Sequence, residues 1–164
     1  MPFEAISRAD LPQTVTIYNV FKDPDTGAVA YYRTILEAVR VGQAKTSLRE
    51  AVRGVTKLSR VSILMDRRTT QGYVLNEAGR RVKKPYLPWQ VWAGRPAEEK
   101  AQAWTLNVND LMAAVVGQKV TIVPEFEPER EHEFKIQHGL SLIIDIHPTV
   151  DEDGSVHSWS VGLD

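Results

Sequence analysis

Polar and apolar residues alternate in Thr14-Val15-Thr16-Ile17-Tyr18-Asn19-Val20-Phe21-Lys22, and again in Tyr31-Tyr32-Arg33-Thr34-Ile35. A period of two is the signature of a strand with distinct faces. In the first run Val15, Ile17, Asn19 and Phe21 share one face and Thr14, Thr16, Tyr18 and Val20 the other. Both faces are apolar enough near the end for the strand to be covered on both sides. Between the runs, Asp23-Pro24-Asp25-Thr26-Gly27 supplies a proline with preset φ and a glycine free to take positive φ. The two runs therefore read as a β-hairpin, its second strand extending from Ala28 to Val39.

Further along, the pattern gives a third strand from Leu58 to Met65, preceded by an undecided stretch in which Ser47 to Arg53 has helical spacing. Asp66 to Lys84 reads as a long excursion, a projecting hairpin through Tyr73-Val74-Leu75. Pro85 to Trp92 starts extended, because each proline disfavours helix in the residue before it. Arg95 to Ala103 reads as a polar surface linker. Asn109-Asp110 and Leu111 to Gly117 fit a turn and strand better than a capped helix, and Val120 to Val123 fits a short strand. Glu125 to His138 is acidic, and Pro128-Glu129 is a good helix start. Leu140, Leu142, Ile144 and Ile146 alternate with Ser141, Ile143, Asp145 and His147; the turn Asp151-Glu152-Asp153-Gly154 then leads to a partner strand, Val156 to Gly162, with Trp159 and Val161 on its buried face. The sum is a mainly β protein: a small antiparallel β-barrel or sandwich of about six to eight short strands, with one or two short helices and a long projecting loop.

At 164 residues and 43% apolar content the chain is sized for one core, so residues 14–164 read as a single β-rich domain behind an N-terminal arm, residues 1–13. The arm has no periodicity and is expected to be ordered by a neighbouring copy, through Phe3, Ile6 and Leu11. No signal peptide and no apolar stretch of about 18 residues is visible, which leads to an expected cytoplasmic site of assembly and no membrane partner. With no cysteine, disulfides, thiolate metal sites and cysteine nucleophiles are excluded.

Near-neutral net charge hides a segregation along the chain. Arg40 to Lys84 holds twelve Lys and Arg against three Asp and Glu, net +9; Glu98 to Asp164 holds four against thirteen, net −9. Such halves either neutralise each other within the fold, or meet nucleic acid or the opposite part of a neighbouring copy in a ring. Arg67, Arg68, Arg80, Arg81, Lys83 and Lys84 concentrate around the excursion and suit phosphates without reading sequence. Only Tyr73 and Tyr86 lie near them, too few aromatics for stacking on single strands.

Candidate chemistry is sparse. Glu129, Glu131, His132, Glu133 and His138 are metal-ligand types, but His132 and His138 stand about 600° apart on a helix and do not share a face. His147 and His157 occupy the two strands of the terminal hairpin and read as surface or interface positions. There is no Gly-x-Ser-x-Gly turn and no Gly-rich phosphate loop. An enzyme, a cofactor and a metal are therefore not expected.

Three stretches carry a resemblance to a known family. Thr14-Val15-Thr16-Ile17-Tyr18-Asn19 with the Asp23-Pro24 turn, the Pro85–Gln90 and Trp104–Gly117 region, and His157-Ser158-Trp159-Ser160-Val161-Gly162 resemble small proteins of the head-to-tail joining region of tailed bacteriophages and prophages. Those proteins open with a Thr-Val-Thr strand ending Tyr-Asn, carry a Trp-Thr-Leu segment followed by Asp and apolar residues up to a Gly, and end with His-Trp-x-Val-Gly. This chain departs in placing Ser158 between His157 and Trp159, and about half of it is covered. The resemblance implies a structural subunit of the virion neck, assembled in the host bacterial cytoplasm: a head-closure, or stopper, ring below the portal and adaptor proteins and above the tail, retaining packaged double-stranded DNA. In that setting the excursion at 66–84 would be the channel or adaptor-docking loop and the arm a clasp on a neighbour. A tail-terminator or tail-completion ring and a sequence-independent duplex-binding module are the alternatives.

Overall fold

A computed structural model describes residues 4–43 and 60–164. The expected helical spacing at Ser47–Arg53 and the start of the third strand at Leu58 lie outside the described residues. Among the described residues there are eight strands: β1 (Gln13–Lys22), β2 (Val29–Gln43), β3 (Val61–Asp66), β4 (Gln71–Leu75), β5 (Arg81–Lys84), β6 (Leu111–Ala113), β7 (Leu140–Val150) and β8 (Val156–Leu163). They are accompanied by helices α1 (Trp89–Ala93), α2 (Ala97–Lys100) and α3 (Glu131–His138), with 3-10 turns at Arg8–Asp10 in the arm and at Pro128–Arg130 before α3.

Six strands close into an antiparallel barrel in the order β1-β6-β7-β8-β3-β2, with β2 returning to β1. Closure leaves no free edge among these six. The exception grows from β2: Val39–Gln43 pairs with β3, whereas Ile35–Glu37 pairs with β4, and β4 carries β5 outward. The expected projecting hairpin is thus an extension of the barrel sheet beyond β2.

Period two holds along β1. Val15 and Ile17 face the barrel interior with Leu36, Val39, Ile63, Met65, Met112, Ile143, Trp159, Val161 and Leu163. Each such side chain taken out of water stabilises the fold by about 1.5–3 kcal/mol. Tyr18, on the opposite face, packs with Phe126 and Phe134 in a second, outer cluster, so the strand is covered on both sides as its sequence suggests. Residues 119–124 run beside it. Thr121 N donates to Thr14 O at 2.8 Å, and the Thr16 hydroxyl donates to Thr121 O and accepts from Val123 N. This stretch, expected as a strand, makes only the isolated parallel bridge Thr14–Val120, because β6 already occupies that edge of β1 at Thr16–Tyr18.

Three register shifts break the alternation, one in β2 and two in the β7–β8 pair, where Thr149 pairs with Ser158 and Val150 with Val156, so that His157 is extra. In β2 the partner of Gln13 is Val39 and that of Thr14 is Glu37, so Ala38 is extra; its φ is 65°. Leu36 and Val39, three apart, consequently both face inward. In β7, Ile143 pairs with Leu163 and Asp145 with Gly162, so Ile144 is the bulged residue. The expected single face of Leu140, Leu142, Ile144 and Ile146 is therefore corrected: Leu140 and Leu142 cover the outer cluster, and Ile143 is the fully buried residue inside the barrel. Arg95 to Ala103 lies at the surface over most of its length, as expected, with two exceptions. It contains α2, and Lys100 and Ala103 are buried, with Lys100 Nζ donating to Arg95 O and standing 4.0 Å from the Phe21 ring centre.

The hairpin meets the barrel at Gly72. A Cβ there would lie 2.4 Å from Trp104 Cδ1 and 3.0 Å from Lys84 O, inside van der Waals contact on both sides. Gly42 in β2 has open space around it. Gly72→Ala is expected to cost about 1–3 kcal/mol and Gly42→Ala less than about 0.5 kcal/mol, measured by urea unfolding of both variants.

Candidate functional site

The β4–β5 hairpin pairs Tyr73 with Lys83 and Leu75 with Arg81, placing these four side chains on one face, and Gly72, Val74, Val82 and Lys84 on the other. The tip is closed by Asn76, whose side-chain oxygen accepts from Ala78 N and Arg80 N. The six cations expected to act together are divided by this geometry. Arg80, at the tip, and Lys83 are exposed. Arg81 is held: its guanidinium donates to Glu37 at 2.8 Å and lies 4.3 Å from the Tyr73 ring centre. Arg67 and Arg68 sit in the turn between β3 and β4, at the opposite end of the hairpin, on the order of 13 Å of strand from its tip.

Lys84 departs from the expectation altogether. It is 4% exposed, its Nζ donates to Arg33 O at 2.8 Å, and burial pulls its ammonium down to about 8, against the Glu125 carboxylate that raises it. It therefore cannot meet a phosphate from this position. Its place on the inward face follows from the period-two pattern, but the run Arg80-Arg81-Val82-Lys83-Lys84 does not show which face is inward.

The N-terminal arm is likewise held by its own subunit. Asp66, fully buried, accepts from Ile6 N at 3.0 Å, from Arg68 N at 2.8 Å and from Thr69 N. The Thr69 hydroxyl donates back to Ile6 O, and His157 Nε2 donates to Glu4 O at 2.7 Å. Leu11 is 1% exposed. Leu11 is thus corrected from a clasp on a neighbour to a core residue of its own fold, Ile6 is tied through its main chain, and Phe3 lies outside the described residues. His157, read from sequence as a surface or interface position, is buried; its Nδ1 accepts from the Ser158 hydroxyl at 3.0 Å. Ser158, His157 and Asp66 adjoin and are buried, and His157 and Asp66 hold the arm through Glu4 O and Ile6 N. Among the described residues no cluster of His, Asp and Glu could hold a metal ion, and no helix is long and apolar enough to cross a membrane.

At the other end of β1 lies a buried polar node. Asn19 Nδ2 donates to Thr105 O at 2.7 Å and to Asp110 Oδ2 at 2.8 Å, while Asn19 Oδ1 accepts from Thr105 N. Asp110 also accepts from Val20 N and Asn107 N. Burial pushes the Asp110 carboxyl up to about 7, opposed by these N–H donors. It forms part of the lining of an apolar cleft of about 720 Å³ whose walls include Phe21, Pro24, Trp89 and Val108. Trp104, next to Thr105, meets Trp159 and Tyr86 at ring-centre distances of 6.2 and 5.1 Å. The node was signalled in sequence only by Asn19, a lone amide on the inward face of β1.

A second cleft, of about 360 Å³, opens between the arm, the hairpin and residues 118–122, with Leu11, Tyr73, Val120 and Ile122 in its walls and Arg8, Arg81, Lys119 and Glu37 around them. Glu37 bridges Arg8 and Arg81. Sequence reasoning missed Glu37 and Lys119, because the first is a single acid within β2 and the second is distant in sequence from the other cations.

Both shifted groups give pH signatures. Lys84 releases its proton at a lower pH in the folded state than in the unfolded chain, so its contribution to stability is present above about 10.5 and lost as pH falls through about 8. Lys84→Met should remove that part of the rise in unfolding free energy between these pH values, on the order of 3 kcal/mol. Asp110 keeps its proton longer in the folded state, so its contribution is present below about 3.8 and lost as pH rises through about 7. Asp110→Asn should flatten stability over that window; an unchanged slope in unfolding measured from pH 4 to 8 would refute the assignment.

Comparison with models of known protein families, with curated proteins and with solved structures finds no match to this chain.

Proposed function

We propose that this chain is a structural subunit of a phage head-to-tail connector, a head-closure ring that retains packaged DNA and docks the tail. The observation that carries the reading is the convergence of the three stretches that resemble neck proteins. Asn19 of the opening strand bonds Thr105 of the Trp-Thr-Leu segment, and Trp104 beside it packs on Trp159 of the closing strand. Residues far apart in sequence thus belong to one structural unit, which supports reading the three stretches as parts of a scaffold. A structural part is the function such a set supports.

In this reading the DNA-facing or adaptor-facing element is the β4–β5 hairpin, reduced to its exposed cations. Arg80 and Lys83 take that role, with Arg67 and Arg68 at the hairpin base; Arg81 and Lys84 are structural. Point charges on a projecting edge neutralise phosphates without reading bases. The same exposed cations favour a second reading, a sequence-independent duplex-binding module. That reading requires the isolated chain to bind duplex DNA with a steep loss of affinity as salt rises.

The test is electron microscopy of particles from a phage or prophage with this gene interrupted, scoring heads, tails and DNA separately. Finished free tails beside heads that have packaged and lost their DNA are expected. Full stable heads beside tails of abnormal length would move the protein to the tail end, and normal virions would overturn the neck reading. Complementation with Arg80→Glu/Lys83→Glu should give heads that lose DNA, whereas Lys84→Met should close them.

A further inference from the structure

We infer that the cleft between the arm, the β4–β5 hairpin and residues 118–122 receives helix α3 of a second copy of this chain; this deepens the ring assembly proposed above and rests on it. Val120 and Ile122 are 52% and 46% exposed in this cleft, with Leu11 and Tyr73 buried beside them. Apolar side chains of this size left in water beside a concave surface call for a partner. The cleft also carries three cations against the single carboxylate of Glu37, which is already shared between Arg8 and Arg81, while Lys119 forms no ion pair among the described residues. The occupant must therefore present an apolar side chain surrounded by carboxylates.

Helix α3 and its 3-10 lead-in have that composition. Ile136 is 69% exposed, more than any other large apolar side chain among the described residues. Phe134 anchors the helix on the outer cluster, so His132 and Ile136, each two residues away, project to the opposite side. Glu133 adjoins them and Glu129 lies one turn earlier. Residues 125–138 hold five carboxylates against Arg130 and Lys135, net −3. The acids face solvent, where their partners are Arg130, bridging Glu127 and Glu133, and Lys135, bridging Glu131; Glu129 forms no ion pair among the described residues. A knob of Ile136 entering between Val120 and Ile122 would bring Glu129 and Glu133 towards Lys119 and the Arg8–Glu37–Arg81 bridge. Knob and cleft are different surfaces of the same chain, so the contact is heterologous and propagates from copy to copy.

Charge reversal tests the contact, because each variant loses attraction to its own kind and keeps it towards the other. Lys119→Glu leaves two cations and two carboxylates in the cleft, cancelling its positive charge, and keeps the acidic helix; Glu129→Lys/Glu133→Lys gives a basic helix and keeps the basic cleft. All three positions are exposed, and circular dichroism checks that each variant folds. By sedimentation velocity at concentrations up to about 1 mM, wild type is expected to self-associate, each variant alone to associate at least tenfold more weakly, and their equimolar mixture to recover. Variants that associate as strongly as wild type would place the contact elsewhere and overturn this inference while leaving the ring intact. A wild type that stays monomeric throughout that range would overturn docking of a second copy in the cleft. Failure of the neck reading shows separately, as normal virions from the interrupted gene.

Discussion

The bend of β2 at Ala38 decides how the whole sheet is connected. A strand in a closed barrel has one neighbour on each side, yet β2 changes neighbour on one edge, from β3 to β4, at this residue. A non-glycine residue at φ 65° persists only if its surroundings over-determine it. Here the Thr70 hydroxyl donates to Ala38 O at 2.7 Å and accepts from Asp66 N, while the Gln13 side chain accepts from Val41 N. Asp66 in turn holds the turn to β4 and the N-terminal arm. One knot of buried polar groups thus fixes the bend, directs the hairpin outward and ties down the arm.

The fold also brings together parts of the charge-segregated chain. Glu125 of the acidic half stands near Lys84 of the basic half, and Arg81 of the basic half is bridged by Glu37, which lies outside both. The Asp153 carboxyl is held below its ordinary range mainly by Ser155 and in smaller part by Arg67, so the acidic turn of the β7–β8 hairpin also faces the basic half. Exposed pairs of this kind contribute little stability each. What survives neutralisation is local: cations at the hairpin tip, Lys119 at a cleft, and an acidic helix.

The interior follows a different logic. Asn19 and Asp110 are buried polar groups whose partners are mostly main-chain groups of a single loop. Buried amides and carboxylates are tolerated when their hydrogen bonds are made, and they fix one arrangement because any other leaves them unpaired. Trp104 then fills the barrel beside Gly72, where no other residue fits. The segment 85–110 is therefore positioned by β1 on one side and by the hairpin on the other, which couples the projecting element to the core.

Much of this architecture was legible in the chain. Period-two runs at 14–22 and 156–162, turn residues at 23–27 and 151–154, and the proline-led acidic helix each act through near neighbours, so local physics was sufficient to reveal them. Closure into a barrel, rather than a sandwich, was not legible, because it depends on which strands pair across long sequence separations. Nor was the switch of faces at Ile144: a bulge is a property of two strands in register, and one strand alone continues to read as regular alternation. The same holds for the cations of the excursion. Sequence determined that Arg80 to Lys84 would be basic and the hairpin projecting, but which of those charges reach solvent was decided by the packing of one hairpin face on the barrel, which buries Lys84 and leaves Lys83 free.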